Sequence, residues 1–300
     1  MKSLKTIILG SGSSIPTDSR NHSGYWIRYG GEVMLWDCGE GTQRQIRKAD
    51  LSPTKIDRIF ITHWHTDHFA GLLGLLETLK LEERTKKIQI YGPEIDKYIS
   101  TLSQLVWNNI EYEIETININ PDVKTEQTIL ENNNYSISYI TAKHSEPAVA
   151  YCFQEHDHLN IDMDKAKKMG LNEGPLLQKI KDKGKINFNG KKIKLEQIAN
   201  MTTGRKIVYS GDTAPSSLIE KIAHNADLLI HEATFLNKVS DTHSTIKNAA
   251  DLAKRAKVKK LILTHYSQRF RNIDRLKEEA QKYFPDAKIA RDLMNINLNK

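Results

Sequence analysis

The sequence predicts an α/β protein with layered sheets, and three observations predict it. Short β-branched runs recur at 5–9, 32–36, 58–62, 87–91, 135–141, 206–210, 228–230 and 261–264, each ended by a turn signal or a polar residue. Between some of them apolar residues return at helix spacing: Leu72, Leu75, Leu76 and Leu79; Leu218, Ile219 and Ile222; Ile246, Ala249, Ala250 and Ala253. Ligand-type side chains follow four of the runs directly, at the strand ends where open α/β sheets collect their ligands.

Composition narrows the class. With 39% hydrophobic and 27% charged residues in 300, the chain can bury a core and is not a disordered protein. The longest apolar stretch, 69–76, falls far short of the roughly 20 residues a spanning helix needs, so no membrane partner is expected. Residues 1–10 carry too short an apolar run for a signal peptide and are expected to form the first strand. Two cysteines, Cys38 and Cys152, exclude a disulfide framework and a four-thiolate zinc site, which makes reducing cytoplasm the expected location. The net charge of +7 favours polyanionic partners.

Taken in order, the first run ends in Leu9-Gly10-Ser-Gly12. This resembles the opening of a dinucleotide fingerprint, but Ile15 stands where its third glycine would be, so a tight turn near the metal loop is expected instead. Asp37, at the end of the second run, is expected to support a ligand, and Cys38 has no basic neighbour to activate it.

The strongest motif is Ile61-Thr-His63-Trp-His65-Thr-Asp67-His68, directly after run 58–62. Four ligand-type residues within six positions do not arise from core packing. Side chains alternate along an extended chain, so His63 and His65 share a side; Asp67 and His68 then turn away toward a second ion. Imidazole and carboxylate without thiolate suit zinc, with manganese or iron also possible.

His144, Asp212 and His265 each follow another run. Seven ligands are too many for one tetrahedral ion and suit two. His63, His65 and His144 are expected on the first ion and Asp67, His68 and His265 on the second, with Asp212 bridging. Two such ions about 3.5–4 Å apart generate hydroxide at neutral pH, so the expected reaction is hydrolysis.

Two further motifs flank this set. His231-Glu-Ala-Thr234 follows run 228–230, and His243-Ser-Thr245 opens the helix that runs to about Ala256, with Ser244 or Thr245 as its cap. Glu232 and His243 either make a supporting hydrogen bond or form a carboxylate–imidazole pair that protonates a leaving oxygen; spacing favours neither. His22, His156, His158 and His224 have no supporting pattern.

One segment, about 155–196, is strongly polar. It contains Gly174-Pro175 and then Lys179, Lys181, Lys183, Lys185, Lys191, Lys192 and Lys194, with Asp182 and Glu196 the only acids among them. By composition it is a solvated surface hairpin; the alternative is a protruding basic arm that holds a nucleic-acid backbone.

Together these motifs resemble a known family. His63-Trp-His-Thr-Asp-His68 is similar to the signature of the metallo-β-lactamase superfamily. Asp37-Cys-Gly-Glu-Gly-Thr-Gln-Arg-Gln45, His231-Glu-Ala-Thr234, His243-Ser-Thr245 and Leu263-Thr-His-Tyr-Ser267 resemble ribonuclease Z, the tRNA 3′-processing endonucleases, in the short form. The resemblance implies one four-layer αββα sandwich over 1–300 with the 155–196 arm inserted. It implies two zinc ions per subunit and removal of the 3′ trailer from precursor tRNA, leaving a 3′-hydroxyl on the tRNA and a 5′-phosphate on the trailer. Asp67 would be the catalytic base, and Glu232 and His243 would assist departure of the 3′ oxygen. Arg20 and Asn21, in the loop 16–21, and the arm residues Gly174, Pro175, Lys191 and Lys192 would bind the RNA. The family's short forms are usually homodimers, in which one subunit's arm presents tRNA to the other's site. A small-molecule hydrolase on the same fold and a non-catalytic RNA-binding module are the competing functions.

Overall fold

Two seven-stranded sheets face each other across the main core. The computed structural model describes residues 2–106 and 110–298; positions 1, 107–109 and 299–300 lie outside the described residues. The chain begins with β1 (Leu4–Gly10), β2 (Gly24–Tyr29), β3 (Glu32–Cys38), α1 (Thr42–Lys48), β4 (Arg58–Phe60), α2 (Thr66–Phe69), α3 (Gly71–Leu81), β5 (Ile88–Pro93), α4 (Ile95–Val106) and β6 (Ile114–Ile119). It crosses to the second sheet with β7 (Gln127–Glu131), β8 (Tyr135–Ala142) and β9 (Ala148–Glu155). An insertion follows: β10 (His158–Ile161), α5 (Met163–Lys168), α6 (Pro175–Lys183), β11 (Lys185–Phe188), β12 (Lys191–Lys194) and β13 (Ala199–Thr202). The second sheet resumes with β14 (Lys206–Tyr209), α7 (Ser217–Ile222), β15 (Leu228–Glu232), α8 (Ile246–Arg255), β16 (Leu261–Thr264), α9 (Ile273–Tyr283) and β17 (Lys288–Ile289). Finally β18 (Asn295–Asn297) returns to the first sheet beside β1.

The strand orders are β18-β1-β2-β3-β4-β5-β6 and β17-β16-β15-β14-β9-β8-β7. In the first sheet β3 to β6 run parallel, and in the second so do β14 to β17. The inner parallel strands β3, β4 and β14 to β16 are covered on both faces, which is why their runs read as largely apolar. In β3, Met34 and Trp36 point between the sheets while Val33 and Leu35 point outward, under Ile46 of α1 and Leu72, Leu75, Leu76 and Leu79 of α3. On the other side, Ile246, Ala249, Ala250 and Ala253 seat α8 against the second sheet. The layers are therefore αββα. Aromatic rings join the sheets: Tyr25 and Tyr209 lie 4.4 Å apart, centroid to centroid, and Trp36 stacks on Tyr209. Both cysteines are buried and free, and burial pushes the Cys152 thiol up to about 12. No helix among the described residues is long and apolar enough to cross a membrane.

The insertion is more than a hairpin. Its two legs pair as β10–β13, a second pair β11–β12 lies beyond them, and α5 and α6 pack on Ala166, Leu171, Leu177, Ile180, Ile186, Ile193 and Ile198. The returning leg extends past Glu196 to Thr202, because Ala199-Asn-Met-Thr202 pairs along the outgoing leg, a stretch of four residues too short to stand out in sequence.

Candidate metal centre

The site lies where β3, β4, β8, β14, β15 and β16 end. All seven expected ligands come together there, in groups whose candidate ligand atoms lie within 4.8 Å of one another: His63, His65, His144 and Asp212; Asp67, His68 and His265; and Asp212, His243 and His265. His63 Nε2 and His144 Nε2 each stand 3.1 Å from His65 Nδ1. His265 Nε2 stands 3.1 Å from Asp67 Oδ2 and 3.3 Å from Asp212 Oδ2, while His68 Nε2 is 3.5 Å from Asp212 Oδ1. Asp212 therefore lies between the groups, and its Oδ1 is buried without a hydrogen-bond partner among the described residues.

The outer hydrogen bonds decide what the inner nitrogens present. The Thr62 hydroxyl donates to Asp37, so it accepts from His63 Nδ1 at 3.0 Å. His144 Nδ1 donates to the Thr242 carbonyl at 2.9 Å, and His68 Nδ1 to Asp37 Oδ2 at 2.7 Å. The Thr234 hydroxyl donates to Glu232 Oε2 and so accepts from His265 Nδ1 at 2.9 Å. Four imidazoles thus place an Nδ1 proton outward, and in the neutral form each directs an Nε2 lone pair inward. Converging lone pairs beside two carboxylates repel unless a cation sits among them. Nitrogens around a tetrahedral zinc would lie about 3.3 Å apart, from Zn–N bonds of about 2.0–2.1 Å, and the 3.1 Å contacts fit that spacing.

Electrostatics point the same way. Burial holds His63 well below the ordinary histidine value, which keeps it neutral. Burial also opposes charge on His68, but Asp212, Asp67 and Asp37 around it outweigh this and lift it well above the ordinary value. Burial works against Asp67 and Asp212 as well, yet the surrounding histidines hold both carboxyls low. Buried carboxylates here demand positive charge.

Local backbone shape serves the site. Asp37 and His265 adopt left-handed conformations, φ 54° and 59°, a strain that tertiary contacts must sustain. Asp37 accepts from the Thr62 amide, the Tyr209 hydroxyl and His68, so it supports a ligand as its position at a strand end suggested. A Cβ on Gly39 would lie 2.2 Å from the Asp67 carbonyl, so only glycine lets the end of β3 approach the metal loop. Gly10 is needed for closeness, not for turn geometry: a Cβ there would lie 1.7 Å from the His22 carbonyl.

Glu232 and His243 prove to be one unit. Glu232 is fully buried; its Oε1 takes His243 Nδ1 at 3.0 Å and the amides of Thr213 and Ser244, and its Oε2 takes the amide and hydroxyl of Thr234. Burial lowers His243, but the bond to Glu232 and the nearby Asp212 outweigh it and raise the ring above the ordinary value. Thr245, not Ser244, caps α8. Thr62, Thr234 and Tyr209 were missed from sequence, because a hydroxyl that meets its imidazole or carboxylate only in the fold has no local signature.

The other expected residues are placed differently. Arg20 is buried, its guanidinium 3.4 Å from the Gln268 carbonyl, and Asn21 donates to the Glu40 carbonyl, so both brace the loop. Gly174 and Pro175 begin α6 on the exposed side of the insertion, and Lys191 and Lys192 are exposed on β12. His22, without a pattern in sequence, is buried against the loop that carries Glu40.

The comparisons with known proteins agree with this architecture. Residues 4–181 match the family described as anti-Pycsar protein Apyc1, and residues 197–266 match a beta-lactamase superfamily domain. Ribonuclease Z of Thermococcus sibiricus is 40% identical over 274 residues, 89% of this chain and 88% of the relative. Ribonuclease Z of Methanosarcina mazei is 34% identical over 304 residues, 98% of each. Among solved structures, the short form of human tRNase Z is 27% identical, with a TM-score of 0.71 over 99% of this chain and all of that one. YhfI of Bacillus subtilis, at 20% identity and the same TM-score, shares the fold. Fold and site define a hydrolase of the metallo-β-lactamase fold with a candidate metal centre of histidines and aspartates. Within that class, the chain belongs to the ribonuclease Z family.

Proposed function

We propose that this hydrolase is a zinc-dependent endoribonuclease that removes the 3′ trailer from precursor tRNA in the cytoplasm. The observation that carries the reading is the convergence of inward-facing Nε2 lone pairs and two carboxylates at one end of the sheets, in a chain 34% identical to a ribonuclease Z along 98% of its length. His63, His65 and His144 would hold one zinc ion and Asp67, His68 and His265 the other, with Asp212 between them; manganese or iron would suit the same donors. A bound pair supplies water with a pKa near 7 and neutralises phosphate charge.

The chain's own groups move the protons. Asp67, kept ionised by its histidine neighbours, accepts the proton of the attacking water at its carboxylate. As water oxygen bonds to phosphorus, the bond to the 3′ oxygen breaks. His243, fixed through Nδ1 by Glu232, delivers the proton on Nε2 to that departing oxygen. The tRNA keeps a 3′-hydroxyl and the trailer a 5′-phosphate.

The insertion would hold the body of the tRNA. Lys191 and Lys192, with the other exposed lysines, would meet its phosphates, and Gly174-Pro175 would shape the contact surface. Arg20 and Asn21 would act on the RNA through the loop they brace. In a homodimer, one subunit's arm would present the RNA to the other's site.

A second reading is hydrolysis of a small phosphodiester at the same centre, because the fold alone does not fix the substrate. Incubation with a 3′-extended precursor tRNA, with and without chelator, separates the two. A chelator-sensitive cut at the junction of tRNA and trailer is the expected result. An intact precursor beside turnover of a small phosphodiester would favour the second reading.

A further inference from the structure

Beyond His243 lies an aromatic ring that the core does not use. Phe235 is half-buried, yet among the described residues it neither belongs to an apolar cluster nor packs on one, whereas its neighbour Leu236 does. Its backbone is fixed: its amide donates to the Ser244 carbonyl, and its own carbonyl accepts from Ile246 at 3.1 Å. The ring stands edge-on to His243, with centroids 5.9 Å apart and planes at 89°. His243 in turn is 5.0 Å from His144 and 5.8 Å from His265, so the order outward from the centre is ligand histidines, His243, Phe235. The ammonium of Lys238 lies 5.1 Å from the Phe235 centroid. Lys238 is exposed and makes no ion pair among the described residues, and next to it Val239 is 87% exposed.

A rigidly mounted ring with an exposed cation over it, one residue outward from a proton donor, is suited to take the flat face of a base. We propose that Phe235 is a stacking platform for the base of the nucleotide whose 3′ oxygen departs. This rests on the nuclease function above, which puts His243 beside that oxygen. The base next to it then falls over Phe235, displacing the Lys238 ammonium toward the backbone phosphates. Stacking reads a π-face and not a base edge, so the platform orients this nucleotide whatever its identity.

The test is a cycle between protein and RNA. Cleavage kcat/KM is measured for the metal-loaded protein and for Phe235→Leu, each on an intact 3′-extended precursor and on one made abasic at the nucleotide 5′ of the cut. Loss of the ring and loss of the base should each lower kcat/KM on the order of tenfold, the worth of one base–aromatic stack, and together no more than either alone. Phe235→Trp should restore cleavage of the intact precursor, and an unchanged thermal midpoint of Phe235→Leu excludes a folding defect. Losses that multiply, or an abasic precursor cut at the normal rate, would overturn the platform. A wild-type protein that leaves the intact precursor uncut would overturn the nuclease function itself, and the platform with it.

Discussion

The metal end and the inserted arm are built in opposite ways. At the metal end several functional side chains are held by partners far away in sequence: Asp37 by Tyr209, His144 by Thr242, His265 by Thr234, Asp67 against His265. Asp37, Asp67 and His265 are buried and His144 is half-buried, and backbone strain at Asp37 and His265 is sustained by the whole sandwich. The arm has a small apolar cluster of its own, and its lysines are exposed. It meets the body at one buried clasp, where the Arg205 guanidinium grips both oxygens of Glu155 at 2.6 and 2.7 Å and also holds the carbonyls of Lys2 and Leu298. Chemistry needs fixed atoms, whereas capture of a long polyanion needs charge at a distance. On the proposed function the fold would separate the two demands, with the Glu155–Arg205 pair at the base of the arm.

Breaking the metal end should have the largest effect. Asp67→Ala should lower kcat on precursor tRNA on the order of a thousandfold or more while leaving RNA affinity near that of wild type. Normal turnover by this variant, or lost affinity, would mean that catalysis and capture are not divided as described. Glu232→Gln and His243→Ala should each lower kcat by about 10²–10⁴-fold and, combined, little further, because they act as one unit. Multiplying losses would separate them.

Cutting away the arm should spare chemistry. A variant lacking 157–194 should lose tRNA cleavage through KM and still hydrolyse a small phosphodiester; equal loss on both substrates would contradict the division. At the clasp, Glu155→Gln strands a buried guanidinium and should destabilise the protein by about 3–5 kcal/mol in denaturant melts. Burial opposes the Glu155 charge, but Arg205 and Tyr29 outweigh it and bring its carboxyl below the ordinary value. A depressed native pKa stabilises fully above the ordinary glutamate range, and that contribution is lost as pH falls through the native value. Wild type should therefore lose thermal stability in acid more steeply than Glu155→Gln. The smallest effect belongs to Lys191 and Lys192: neutralising both should flatten the slope of log K against log salt by about 1.4 for single-strand-like contacts. An unchanged slope would place them off the RNA.

Much of the fold could be read in advance because it rests on period. The apolar runs that became β1, β3, β4, β5, β8, β14, β15 and β16 lie near their strands, and the helix spacing of Leu72–Leu79 is that of α3. The strand Gly24–Tyr29 was missed because its aromatic and charged residues alternate unevenly, and Ala148–Glu155 because alanines dilute its apolar signal. The ligand-type residues were visible because they crowd into one loop or end a strand. What orients them was not, since Thr62, Thr234 and Tyr209 gain meaning only through contacts across the fold. The arm's cluster escaped for a related reason: isolated Leu177, Ile180, Ile186 and Ile193 sit among lysines and pack only when the legs pair.

Metal content measured together with activity tests the central claim most directly. The protein is stripped with chelator, titrated with zinc, and followed by elemental analysis and by cleavage of a 3′-extended precursor tRNA. Activity that returns in step with the second zinc ion per chain, and fails to return in a His144→Ala or His265→Ala variant, is the predicted result. Full activity in protein that holds no transition ion, or saturation at one ion per chain, would contradict it.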